Sequence, residues 1–147
     1  MSKTLINLTT LLLAMLLLLL TLYIYVSNRD GDMALYSWLG IDYYNDFFNF
    51  IRNHSIHLPL WVKYNLTDGL WMLSYLLFME GLWTIDKCIK WMFCIPIISL
   101  ALILEILQCL GCFPGTGDIF DIIFYIAAIL LFVLLIKLKQ IYYEKDN

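Results

Sequence analysis

Four long apolar blocks, separated by shorter polar connections, dominate the pattern of residues along the chain. The blocks lie at about residues 5–26, 66–85, 91–110 and 119–136. Each approaches the ~20 residues that a helix needs to cross a hydrocarbon layer ~30 Å thick. The second block is the most polar because it contains Asp68 and Glu80. The pattern predicts an all-α fold in which residues 1–147 form one domain, with four transmembrane helices in an antiparallel bundle.

The first block resembles a secretory signal in its position, but its apolar stretch is longer than the 7–15 residues of a typical signal. The segment Tyr23–Ser27 also has no pair of small residues at cleavage spacing. We therefore expect this block to stay in the membrane as an anchor.

The distribution of Lys and Arg predicts the orientation of the bundle, because cytoplasmic loops carry an excess of both. With the N-terminus inside, six basic residues lie on the inner side and three on the outer side. The inner set is Lys3, Lys87, Lys90, Lys137, Lys139 and Lys145; the outer set is Arg29, Arg52 and Lys63. The expected location is a bacterial inner membrane, with both termini cytoplasmic.

The connection 27–65 is the longest and lies outside on this topology. Within 42–53, apolar residues recur at helical spacing, with polar residues between them. This pattern predicts a short amphipathic helix on the outer leaflet or over the bundle. The aromatic residues of 36–61 could also contact a membrane protein partner, in which case the chain would be a structural subunit of a complex.

Ionisable and amide side chains interrupt the apolar blocks near their outer ends. Glu105 and Gln108 share a face of the third block, while Asp118 and Asp121 open the fourth, with Tyr125 one turn deeper. The connecting turn is short, so these helix ends must be adjacent. Asp68 lies at a similar depth in the second block, although it also suits the first turn of a helix capped by Asn65 or Thr67.

Carboxylates inside a membrane are costly, by roughly 2.5 to 3.5 kcal/mol on insertion scales, and are therefore functional candidates. Gathered in a low-dielectric site they cannot all stay ionised, so one can hold or donate a proton near neutral pH. Glu105 and Asp121 are the catalytic candidates, and Asp68, Gln108, Asp118 and Tyr125 the ligand-binding ones. The alternative is that these groups only join the helices by hydrogen bonds.

The segment from Glu105 to Tyr125 resembles the hallmark of VanZ-like membrane proteins. In that family an E-x-x-Q ends one span, and a D-x-x-x-N opens the next after a short polar turn. Glu105, Gln108 and Asp121 match by position, whereas the family's Asn falls on Tyr125 and the arginine usual in its turn is absent. The resemblance implies a small multi-helical membrane protein, and some members of the family are associated with resistance to a glycopeptide antibiotic.

Cys109 and Cys112 form a C-x-x-C at the outer end of the third block. This motif makes a four-helix thiol-disulfide oxidoreductase, passing electrons to quinone, the main rival hypothesis. The other two cysteines, Cys88 and Cys94, lie toward the inner side, where they cannot form a second pair on the same face. His54 and His57 have no third ligand in register, so no metal site is expected.

The composition and net charge of the chain limit the classes of partner that are expected. The chain is 63% hydrophobic and has a net charge of −3 without a basic cluster, so nucleic acid is not an expected partner and no cofactor is implied. The working hypothesis is that an outward-facing acidic pocket recognises, and modifies or shields, the headgroup of a membrane lipid or lipid-linked glycan of the cell envelope.

Overall fold

The computed structural model describes residues 3–29, 40, 42, 45–83, 86–113 and 117–145, and these residues form helices and connections without a strand. The helices are α1 (Lys3–Asn28), α2 (Asp46–Asn53), α3 (Thr67–Leu82), α4 (Lys87–Cys109) and α5 (Ile119–Lys145). A π-helical turn, Val62–Leu66, leads directly into α3.

Three of these helices are long and apolar enough to cross a membrane. The qualifying stretches are Leu5–Asn28, Cys88–Cys109 and Ile119–Ile141, whose mean hydropathies are 2.5, 2.2 and 3.0. They correspond to the first, third and fourth predicted spans. Helix α3 is not among them, since its 16 residues extend only about 24 Å at ~1.5 Å per residue.

Helix α3 lies at the centre of the assembly. It contacts α1, α4 and α5, while α1 has no contact with α4 or α5 in the described part of the chain. Its buried residues include Met72, Leu73, Leu76 and Leu77. The other long helices keep much of their apolar surface exposed, as expected where lipid rather than water surrounds it.

Small residues allow α3 to approach its neighbours closely. A Cβ placed on Gly69 would lie 3.0 Å from the carbonyl oxygen of Phe124 on α5. On the other side, the hydroxyl of Ser74 donates a hydrogen bond of 3.0 Å to the carbonyl oxygen of Ala14 on α1. Such contacts are how helices associate where the hydrophobic effect gives little drive.

Helix α4 ends and helix α5 begins with well-defined capping hydrogen bonds. Gly111 has a φ of +70°, and the amides of Gly111 and Cys112 donate to the carbonyls of Gln108 and Leu107, a Schellman ending. Asp118 then caps α5, because its Oδ1 accepts a 2.9 Å hydrogen bond from the amide of Phe120.

The predicted amphipathic helix is present as α2, although it is shorter than 42–53. It begins after Asn45, whose side chain accepts a hydrogen bond from the amide of Phe47. Phe47 and Phe50 are 64% and 62% exposed, so α2 presents aromatic surface outward. Tyr43 and Tyr44 lie outside the described residues.

Candidate functional site

A cavity of about 840 Å³ lies where α1 and α4 end and α3 and α5 begin. It is lined by every candidate binding and catalytic residue outside the cysteine pair. These are Asp68, Glu105, Gln108, Asp118, Asp121 and Tyr125. The structure therefore places in one cavity the polar residues that the sequence assigned to a common depth on three helices.

Asn65 joins two of the carboxylates. Its Nδ2 donates hydrogen bonds to Asp118 Oδ2 at 2.9 Å and to Asp121 Oδ1 at 2.8 Å. Asn65 itself is only 5% exposed and is presented by the π-helical turn. Single turns of π-helix are frequent at functional sites. The local sequence indicated only a capping role for Asn65 and gave no sign of this one.

Glu105 connects α4 to the start of α5. Its Oε1 accepts a 2.7 Å hydrogen bond from the backbone amide of Asp118, and the residue is 7% exposed. A hydrogen bond with an ionised acceptor is shorter and stronger than a neutral one. Glu105 thus orients the turn that carries Asp118 and Asp121 into the cavity.

Gly117 makes this geometry possible. A Cβ at Gly117 would lie 2.2 Å from the backbone nitrogen of Cys109 and 2.6 Å from the carbonyl carbon of Gln108. Both are backbone atoms of α4, so neither could rotate away. The absence of a side chain lets the chain approach α4 closely enough for Asp118 to reach Glu105.

Arg29, one residue beyond α1, brings a positive charge to the cavity. Its guanidinium donates to Asp68 Oδ1 at 3.2 Å, to Thr67 Oγ1 at 3.1 Å and to the carbonyl oxygen of Tyr64 at 3.0 Å. Its side chain is 10% exposed, against 31% for that of Asp68. In the sequence pattern Arg29 indicated only the topology, so a guanidinium in this cavity was not predicted.

The capping role expected for Asn65 or Thr67 is wrong. The helix continues without a break from the π-helical turn into α3, and no side chain caps it. Thr67 instead donates back to the carbonyl of Tyr64 at 2.7 Å. Asp68 therefore does not lie beside a free helix start, and its partner is Arg29.

Several acceptors in the cavity remain available. In the described part of the chain, Asp68, Glu105 and Asp121 each use one carboxylate oxygen in a hydrogen bond. The second oxygen of each, and the hydroxyl of the half-buried Tyr125, have no protein partner there. None of these oxygens is fully buried, so each can accept a hydrogen bond from water or from a ligand that enters the cavity.

The charge balance of the cavity is negative. Of the residues that the structure describes, four carboxylates line it, against the one guanidinium of Arg29. They are spread over three helices, and among the described residues no group of three or more His, Cys, Asp or Glu is arranged to hold a metal ion. An organic cation, or a group with several N–H or O–H donors, complements this arrangement.

The cysteines lie outside the lining of the cavity. Cys109 and Cys112 are exposed free thiols, and Cys112 lies 3.8 Å from the carbonyl oxygen of Leu110. Cys88 and Cys94 belong to the first turns of α4, at its opposite end. The oxidoreductase hypothesis therefore stays a prediction that rests on the C-x-x-C motif.

The histidines also lie away from the cavity. His54 follows α2, and its Nδ1 lies 2.9 Å from the carbonyl oxygen of Phe50. Both His54 and His57 are exposed.

No protein-family model, curated protein or solved structure matches this chain.

Proposed function

We propose that the chain is a membrane protein that recognises the amine- or hydroxyl-bearing headgroup of a lipid or lipid-linked glycan in its acidic cavity. The observation that carries this proposal is the set of acceptors that have no partner among the described residues: one oxygen each of Asp68, Glu105 and Asp121, and the Tyr125 hydroxyl. Modification or shielding of the headgroup would begin with the same binding step.

Coulomb's law favours such a ligand. Two unit charges 4 Å apart interact by about 4 kcal/mol at an effective dielectric constant of 20, and the cavity collects four carboxylates. An ammonium group placed among them relieves their mutual repulsion while donating up to three hydrogen bonds. A sugar satisfies the same acceptors with hydroxyl groups but without the charge.

The proposed setting is a bacterial inner membrane in which α3, with its π-helical turn, completes a four-helix bundle. The continuous helical stretch 60–82 supports this, since it is longer than α3 alone. The excess of Lys at the end opposite the cavity supports an outward-facing cavity and cytoplasmic termini. A reporter fused after Asn147 is expected in the cytoplasm. Detection of this reporter outside the cell would mean that the cavity faces the cytoplasm.

The VanZ-like resemblance supports the same proposal. It rests on Glu105, Gln108 and Asp121, all three of which line the cavity. The arginine that the family carries in its turn is absent from this sequence, but Arg29 brings a guanidinium to the cavity from α1. We propose that Arg29 substitutes for it.

The proposal is tested by the selectivity of purified protein for headgroups that carry donors. In mixed micelles, native mass spectrometry should show more bound phosphatidylethanolamine than phosphatidylcholine, because the choline nitrogen has no N–H to donate. A glycosylated diacylglycerol tests the hydroxyl donors in the same way. Equal retention of the ethanolamine, choline and glycosyl lipids would contradict the proposal.

Two variants test which carboxylates of the cavity give the selectivity for headgroups that carry donors. Glu105→Gln keeps an oxygen for the Asp118 amide but removes the charge, and Asp121→Asn removes the charge of a second carboxylate that lines the cavity from α5. Both should fold and lose most of the preference, by about 10-fold if one charge-assisted hydrogen bond is lost. Asp46→Asn is the control, since it removes an exposed carboxylate from α2. A Glu105→Gln protein with unchanged selectivity would leave Glu105 as a structural hydrogen bond only.

A further inference from the structure

A second polar site lies at the end of the assembly opposite the acidic cavity. Glu80 of α3 pairs there with two lysines, Lys90 of α4 at 2.5 Å and Lys139 of α5 at 3.0 Å. The side chains of all three are at most 12% exposed. The sequence analysis placed both lysines among topology-setting charges and did not pair them with Glu80.

The charges of this cluster do not cancel. Glu80 and Lys90 are the most buried pair, at 8% and 7% exposure, and together they are neutral. Lys139 adds a second ammonium to the same carboxylate. Among the described residues, this cluster of two lysines and one glutamate carries one net positive charge, and an excess charge on side chains this little exposed is costly. An anion bound beside Lys139 would neutralise the excess positive charge of the cluster.

The space beside Lys139 is a groove of about 300 Å³ between α1 and α5. Its floor is Leu77 and Glu80 of α3, because the backbones of α1 and α5 both approach α3 but do not closely approach each other within the described residues. Its walls are Ile6, Thr9, Thr10 and Leu13 of α1, with Leu135, Ile136 and Lys139 of α5. The hydroxyls of Thr9 and Thr10 donate to the carbonyl of Ile6 on their own helix, so the walls present mainly apolar surface.

We propose that this groove binds an anionic membrane lipid, with one acyl chain between α1 and α5 and its phosphate beside Lys139. The two parts of the groove match the two parts of such a molecule. An apolar channel between membrane helices accepts a hydrocarbon chain, and the excess ammonium at its end accepts the anion. A free phosphate ion would satisfy Lys139 but leave the apolar walls unused. The site is independent of the function proposed for the acidic cavity.

The test measures retention of phosphatidylglycerol by the full-length protein in mixed micelles, using native mass spectrometry. Lys139→Gln should reduce retention by about 10-fold, as expected for loss of one charge-assisted contact. Glu80 keeps Lys90 in this variant, so the fold should survive. Lys137→Gln is the matched control, because it removes the same charge from an exposed position two residues away, and it should retain the lipid.

A second pair of variants tests the acyl chain without touching a charge. Thr10→Phe fills the groove and should displace phosphatidylglycerol, whereas Leu12→Phe, at a 60% exposed position of α1, should not. Inorganic phosphate at millimolar concentration should not compete. Unchanged retention in both Lys139→Gln and Thr10→Phe would overturn the site. Loss in Lys139→Gln alone, with competition by inorganic phosphate, would identify a free-anion site and overturn the lipid.

Discussion

Replacing Gly117 with alanine tests how the acidic cavity is assembled. The new Cβ would lie 2.2 Å from the nitrogen and 2.5 Å from the Cα of Cys109, well inside any van der Waals contact. Because both are backbone atoms within α4, the connection itself must move outward. That movement withdraws the Asp118 amide from Glu105 Oε1, which it now reaches at 2.7 Å.

The expected loss of stability has two parts. Overpacking against atoms that cannot rotate costs about 1–3 kcal/mol, and loss of a hydrogen bond to a charged acceptor costs about 1.5–3 kcal/mol. Together they predict destabilisation of about 2.5–6 kcal/mol. Gly111→Ala is the control in the same connection. Its Cβ meets nothing within 4 Å, so it carries only the cost of a left-handed conformation, about 1–2 kcal/mol.

The assay is an unfolding titration with SDS in mixed micelles, followed by far-UV circular dichroism. Gly117→Ala should lose clearly more free energy of unfolding than Gly111→Ala. In a Glu105→Ala background, the cost of Gly117→Ala should fall to its steric part, about 1–3 kcal/mol, because the acceptor is already gone. A Gly117→Ala protein as stable as Gly111→Ala would refute the close approach, and an unchanged cost without Glu105 would refute the coupling.

Three further predictions concern the groups around the cavity. Asn65→Leu removes both hydrogen bonds to the aspartates and should destabilise the protein by about 2–3 kcal/mol in the same titration. The loss is limited because partly exposed carboxylates recover some hydrogen bonds from water. A loss below about 0.5 kcal/mol would count against the network. A double-mutant cycle with Arg29→Gln and Asp68→Asn should give a coupling of about 1–2 kcal/mol, between the values for exposed and buried pairs. A coupling of zero would show that the contact with Asp68 contributes nothing and that Arg29 acts through its other acceptors. Replacing Cys109 and Cys112 together with serine should leave the preference for phosphatidylethanolamine intact, because neither cysteine lines the cavity; its loss in a folded protein would show that the binding determinants extend beyond the cavity.

The local pattern of apolar and polar residues was sufficient to predict much of the fold and part of the site. Long apolar blocks predicted α1, α4 and α5, because hydrocarbon solvent requires uninterrupted apolar surface. The short connection after α4 likewise predicted that the adjoining ends of α4 and α5 are adjacent, and Glu105 and Asp121 line one cavity there. Boundaries were less accurate: the fourth block was expected to end near residue 136, but α5 continues to Lys145, since charged residues beyond the apolar block continue the helix.

The partners brought from distant positions could not be predicted from local pattern. Arg29 and Asp68 are 39 residues apart, and Glu80 and Lys139 are 59 apart, so neither spacing suggests a contact. The π-helical turn that presents Asn65 has no signature in the residues themselves. The sequence did indicate that the buried carboxylates need countercharges. Arg29 lies at the same end of the helices as Asp68, and Lys90 and Lys139 lie at the same end as Glu80.

The central claim is that a headgroup occupies the acidic cavity, and photocrosslinking in the native membrane tests it most directly. The photoreactive residue p-benzoylphenylalanine would replace Leu60, which lines the cavity and is 71% exposed. A matched probe at Leu130, 64% exposed on α5, reports the surrounding lipid. Mass spectrometry of the adducts should show amine- or glycan-bearing lipids enriched at position 60 over position 130, with the enrichment lost in Glu105→Gln. The same lipid composition at both positions would contradict the account.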